Sequence, residues 1–135
     1  LETGCELVSG GIGRPDIFKN GYYIKPTIFA NMSNNHQIAQ EEIFGPVLSI
    51  ITYKNLSEAV SIANDSKYGL SSYITSKDEG VAYKIAKQIK AGQTIINRIS
   101  RGSVPAPFGG FKMSGNGREH GVFGLEEYLE IKAII

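Results

Sequence analysis

The sequence predicts an α/β fold, a layered, mostly parallel sheet with flanking helices. Three observations carry that expectation. Short runs that read as strands recur at 48–53, 71–75 and 93–97. The two segments between them repeat apolar residues at the helical spacing of i, i+3, i+4 and i+7 or close to it. The resulting order of strand, helix, strand, helix, strand favours parallel pairing through right-handed crossovers.

Each element has a local reason. Gly4-Cys5-Glu6-Leu7-Val8 reads as the start of a short strand, and Gly10 to Asp16 as a loop, on its turn formers. Pro26-Thr27-Ile28-Phe29 is a short strand candidate, and Ser33-Asn34-Asn35 punctuates the segment after it. The β-branched content of Leu48 to Tyr53 predicts a buried strand. Asn55 followed by Glu58 has the capping-box spacing, and Leu56, Ala59, Val60 and Ala63 then make one apolar face. The second helix is expected to start near Ser76 and Glu79, with Ala82, Ile85, Ala86 and Ile89 inward. Lys84, Lys87 and Lys90 lie toward its C-terminal end, where cations suit the helix dipole, and Gly92 is the candidate left-handed residue that ends it. Arg98 to Pro107 is a loop, Arg118 to Glu127 the span of a short helix, and 129–135 the pattern of a final strand.

Composition bounds the function. The 135 residues suit one domain, with 41% hydrophobic and 20% charged residues. A net charge of +1, with both signs interspersed, provides no basic stripe for nucleic acid. No apolar run approaches the roughly 20 residues of a membrane span. One cysteine, Cys5, excludes an internal disulfide framework, and the expectation is a reducing, cytoplasmic setting. His36 and His120 lie far apart and lack the H-E-x-x-H spacing, so no metal is expected. The chain begins with Leu1 and its first methionine is Met32, which suggests a segment of a longer protein.

Two long motifs are more specific. Gln40-Glu41-Glu42-Ile43-Phe44-Gly45-Pro46-Val47 resembles the E-E-[IV]-F-G-P-[VI] segment of the NAD(P)-dependent aldehyde dehydrogenases. Pro107-Phe108-Gly109-Gly110-Phe111-Lys112-Met113-Ser114-Gly115-Asn116-Gly117-Arg118-Glu119 resembles that family's P-F-G-G-x-K-x-S-G-x-G-R-E stretch, in the family's order. Phosphate-loop readings of these glycines fail. Asn116 stands where G-x-x-x-x-G-K-[ST] requires lysine, and Gly115 to His120 lacks the third glycine of G-x-G-x-x-G. Tight turns and close backbone approach are the better reading.

The resemblance implies roles residue by residue. An ionised carboxylate only accepts hydrogen bonds, which suits a vicinal diol. By resemblance Glu42 binds the ribose hydroxyls beside the nicotinamide of NAD or NADP, and Phe44 packs beside that ribose and ring. Glu41 has no assignment. Phe108 matches an aromatic near the aldehyde pocket, against the alternative of a structural anchor. Glu119 matches a residue of an inner proton path, against the alternative of a salt bridge with Arg118 or a nearby lysine. Lys112 and Arg118 are expected to tie down the loop. Arg98 to Ala106 is expected to tune substrate choice, and its two arginines raise a polar or acidic aldehyde.

The family's nucleophilic cysteine segment and dinucleotide-binding half have no match here, and Cys5 lacks the family motif. The expectation is therefore the C-terminal part of a catalytic domain, residues 1–135, inactive by itself. The parent would oxidise an aldehyde to an acid with NAD(P)+, through a thiohemiacetal and thioester on a cysteine upstream. Residues 129–135 would form an oligomerisation strand, making the parent a homo-oligomer. The alternatives are a non-catalytic interaction module that keeps the oligomerisation surface, or an acylating or semialdehyde-specific member of the superfamily.

Overall fold

The computed structural model describes residues 4–99 and 104–135. The chain divides into two compact units, one through Asn55 and one from Leu56 to Ile135.

The first unit is a three-stranded mixed sheet. Strand β1 (Glu6–Ser9) pairs antiparallel with β2 (Thr27–Ala30), and β2 pairs parallel with β3 (Val47–Ser49). The β1–β2 register shifts between Leu7 and Ser9, so Val8 is the extra residue of a bulge. Thr27, at 7% exposure, anchors the centre: its hydroxyl donates to the Lys25 carbonyl at 2.8 Å and accepts the Gly11 amide at 3.1 Å. A buried hydroxyl needs such partners, and here they also fix the Gly10–Gly11 turn against the sheet. Among the described residues of this unit, Met32 is the buried hydrophobic one. A single helical turn, α1 (Gln37–Gln40), follows His36, whose ring nitrogen Nδ1 lies 3.0 Å from the Ser33 amide.

The second unit holds a two-stranded parallel sheet. After α2 (Leu56–Asn64) comes β4 (Ser71–Ile74), then α3 (Glu79–Ala86), then β5 (Gln93–Ile96), paired in register from Ser71↔Gln93 to Ile74↔Ile96. Ser72 and Thr94 join their hydroxyls across this ladder at 2.7 Å. Among the described residues of this unit, Ala82 of α3 and Ile95 of β5 are the buried hydrophobic ones, and Ile85 and Ala86 are half-buried on the expected inner face; the helix ends at Ala86, so the half-buried Ile89 lies beyond it. Two asparagines close the ends. Asn64 accepts the Lys90 amide at 2.7 Å and donates to the Gln88 carbonyl at 2.8 Å, and Asn97 exchanges two 2.8 Å bonds with the Ser76 backbone. A 3-10 turn over Lys112–Ser114 and the short helix α4 (Gly121–Glu126) complete the unit.

Several expectations are corrected. The α/β class holds, but the parallel crossover is realised at β4–α3–β5, while β3 takes β2 as its ladder partner. Strand β3 ends at Ser49 and its Leu48 is 55% exposed, short of the buried strand expected to Tyr53. The cap of α3 is Asp78, which accepts the Val81 amide at 2.9 Å, and Ser76 instead holds the Asp78 amide. An aspartate three residues ahead of a free N–H satisfies the cap as well as serine does. Asp78→Ala should therefore lower stability by about 1 kcal/mol, read as a shifted urea midpoint, and an unchanged midpoint would rule out the cap as a source of stability. Gly92 does not end α3 in a left-handed conformation; it sits where another backbone crosses closely. Residues 129–135 form no ladder with any described strand of this chain, where the expectation was a strand shared with another subunit. A strand exists through bonds to a neighbour, and no described strand provides them there.

Candidate functional site

The acidic motif links α1 to β3. Glu41 caps α1 in extended backbone and accepts Gln37 Nε2 at 3.0 Å. Glu42 follows with its side chain exposed and without a side-chain partner among the described residues. Both of its oxygens are thus available to an external donor. Phe44 is more unusual. Its backbone is in the left-handed region at φ +49°, and its side chain is 91% exposed. Holding a non-glycine residue there costs on the order of 1 kcal/mol. Leaving the ring in water forgoes a further gain of about 1.5–3 kcal/mol. Pro46 then makes the tight turn into β3: Val47 donates to the Gly45 carbonyl at 2.8 Å, and the Pro46 carbonyl accepts the Thr27 amide at 2.8 Å. The motif is therefore tied to the central strand immediately after the strained residue.

In the second unit the structure brings Phe108 and Glu119 together. Their backbones form an isolated antiparallel bridge, Phe108 donating to Glu119 at 2.8 Å and Glu119 to Phe108 at 2.7 Å. Both line an open cleft of about 340 Å³ with Leu70, Ser114, Arg118 and Glu127. The half-buried Phe108 ring meets His120 edge-on at 6.4 Å. The Glu119 carboxylate is 77% exposed and lies 3.8 Å from His120 Nε2, so among the described residues the ion pair expected with Arg118 or a lysine is not formed. Arg118 is occupied otherwise. Its Nη1 donates to the carbonyls of Gly110 at 3.1 Å and Gly117 at 2.6 Å, and its guanidinium lies over Phe111.

Tight turns and close approach account for the glycines of this stretch. Gly115 and Gly117 have φ of +151° and +67°, and a side chain on Gly110 would overlap Ser114. Lys112 ties down the loop as expected, donating to the Asn64 and Ser66 carbonyls. Sequence reasoning did not see where that anchor lands. Asn64 carries no local signal, because its role depends on contacts far along the chain. Of the segment expected to tune substrate choice, Ser100, Arg101, Gly102 and Ser103 lie outside the described residues. Cys5 is half-buried, outside any disulfide, and lies just ahead of β1. Among the described residues no helix is long and apolar enough to cross a membrane, and no group of His, Cys, Asp and Glu could hold a metal.

Comparison with known proteins agrees with these motifs. The aldehyde dehydrogenase family model matches residues 1–134. Proteins of Staphylococcus aureus, strain USA300 among them and provisionally named aldehyde dehydrogenases, are 52% identical over 134 residues. That match covers 99% of this chain and 28% of theirs. A mutant of aldehyde dehydrogenase C from Pseudomonas syringae, in complex with NAD+ and octanal, superposes with a TM-score of 0.93 at 50% identity. It is matched over 97% of this chain and 27% of its own. An aldehyde dehydrogenase of Mycobacterium tuberculosis complexed with NAD+ superposes at 0.88 with 48% identity, over 93% of this chain and 26% of its own. This chain thus spans about 28% of the length of the curated relatives it matches, and over almost its whole length it belongs to the aldehyde dehydrogenase family.

Proposed function

We propose that this chain is the C-terminal part of the catalytic domain of an enzyme that oxidises an aldehyde to a carboxylic acid with NAD+ or NADP+. The observation that carries the reading is Phe44, a residue with both a strained backbone and an exposed ring inside the family's acidic motif. Strain kept at one residue points to function when the surroundings over-determine it, and here Pro46 and Thr27 do so. Complexes of the relatives with NAD+ favour NAD over NADP.

The exposed residues fit a dinucleotide. When bound, NAD+ supplies the acceptor for the hydride that leaves the aldehyde carbon. The two Glu42 oxygens accept hydrogen bonds from the ribose diol, and the Phe44 ring covers an apolar face of the ribose and nicotinamide. Phe108 forms a wall of the aldehyde pocket, and the octanal held by a relative favours an aliphatic substrate. Glu119, exposed in the same cleft and close to His120, relays a proton to or from solvent. Residues 129–135, with Ile131 at 99% and Ile134 at 90% exposure, add a strand to another subunit's sheet. Exposed apolar strand formers of this kind invite such pairing.

Aldehyde-dependent NADH formation by the whole gene product tests the reading. Octanal should be oxidised by that product and not by the 135-residue chain alone. Cys5→Ser should leave the rate of the whole enzyme within about twofold, as expected for a substitution away from the chemistry. A whole product that oxidises no aldehyde with either dinucleotide sinks the proposal.

A further inference from the structure

We infer that the Lys112 ammonium is a positioning group: it fills a cation site made by two backbone carbonyls and thereby holds the loop that walls the Phe108–Glu119 cleft. The inference rests on the proposal that this cleft receives the aldehyde.

The Lys112 Nζ donates to the Asn64 carbonyl and to the Ser66 carbonyl, each at 2.8 Å. Two carbonyl dipoles therefore converge on one small cation just after α2. The lysine reaches them from an unfavourable start. Its backbone φ is +55°, a region in which asparagine, not lysine, is enriched. Lysine also loses more rotamer freedom on being held than most side chains. A residue chosen for its backbone alone would be glycine or asparagine, so the ammonium is what this position selects.

Its neighbours make the same connection. Met113 donates to the Lys67 carbonyl at 3.0 Å, Phe111 donates to the Gly69 carbonyl at 2.8 Å, and the Ser114 hydroxyl accepts the Gly69 amide at 2.8 Å. Residues 111–114 are thus laced to residues 64–69, with Lys112 at the far end of the lacing. The cleft begins on the same short stretch, since Ser114 and Gly115 line it together with Phe108 and Glu119. Displacing the 3-10 turn would displace that wall, and small misplacements of a pocket are costly to rate.

Two variants separate the ammonium from the backbone. Lys112→Met keeps the stem and removes the charge. Lys112→Gly removes the charge and relieves the positive φ together. In both, the Phe111 and Met113 amides should exchange hydrogen about tenfold faster than in the wild type, with the β4–β5 ladder unchanged. In the whole enzyme, kcat/KM for octanal should fall by about tenfold while NAD+ affinity stays within about twofold. Ammonium chloride should restore both readouts, because carbonyl oxygens accept a small cation, and tetramethylammonium chloride should not. Unchanged exchange in Lys112→Met, or slower exchange in Lys112→Gly, overturns the inference. So does a loss of NAD+ affinity that parallels the loss of catalysis, or failure of ammonium to rescue. Should Lys112→Met not fold, the ammonium titration of Lys112→Gly decides. A wild type that oxidises no aldehyde removes the proposed function, and the exchange experiment still decides whether the tether exists.

Discussion

Gly92→Ala is expected to destabilise the protein by about 4 kcal/mol, at the severe end of single substitutions. The Gly92 amide donates to the Gly69 carbonyl at 3.0 Å, and a methyl group on Gly92 would overlap the Gly109 carbonyl oxygen and stand 2.7 Å from its carbon. The obstacle is backbone, which cannot swing aside as a side-chain tip can. Moving Gly109 would strain the Phe108–Glu119 bridge next to it. The φ of Gly92 is not positive, so the penalty is one of space and not of conformation. Gly13→Ala is the matching control. Gly13 has φ +98° with nothing within 4 Å of the added carbon, so it bears only the conformational cost, of order 1 kcal/mol. Urea denaturation followed by circular dichroism separates the two. Equal midpoint shifts for the two variants would refute the backbone crossing at Gly92.

The second large effect falls on catalysis. Glu42→Gln should lower kcat of the whole enzyme by ten- to a hundredfold, on the order of the loss that follows misplacement by about 1 Å. NAD+ affinity should fall by less than that. The amide keeps the shape but replaces one acceptor oxygen with a donor, so one hydroxyl of a diol loses its partner. The ring then sits in a broader range of positions relative to the aldehyde carbon. Glu41→Gln is the control, since Glu41 contacts Gln37 and carries no assigned role. Steady-state kinetics with octanal, together with an NAD+ titration, reads both quantities. An unchanged turnover in Glu42→Gln removes that residue from the cofactor site, whatever becomes of the affinity.

What the sequence made legible was local. Helical periodicity found α2 and α3, the Gly-rich run at Gly10 to Asp16 marked a loop, and the strand at 71–74 emerged within one residue of its expected end. The candidate site residues were visible only because they stand in two long motifs, since an exposed glutamate or phenylalanine has no periodic signal. The misses mostly involve distance along the chain. Pairing of β2 with β3 depends on which strand comes to lie beside it, and the pattern of neither strand records that. Asn64 and Asn97 act through partners more than twenty residues away, at Lys90 and Ser76. Ser76 and Glu79 match the familiar capping spacing, while the geometry of the turn places Asp78 one residue before the helix. Residues 129–135 have the alternation of a strand, but alternation specifies only a face and supplies no neighbour.

The bridge between Phe108 and Glu119 has an evolutionary consequence. Directly opposed residues of an antiparallel pair project their side chains to the same side, so each is part of the other's environment. A larger ring at one position crowds the other, and a changed charge at one alters the solvation of both. Substitutions at these two sites should then be epistatic: a change at Phe108 that suits a new aldehyde would be tolerated on some backgrounds at Glu119 and rejected on others. Lineages adapting this cleft would travel along paired steps, and an engineer varying both codons in one library would reach variants that successive single rounds discard.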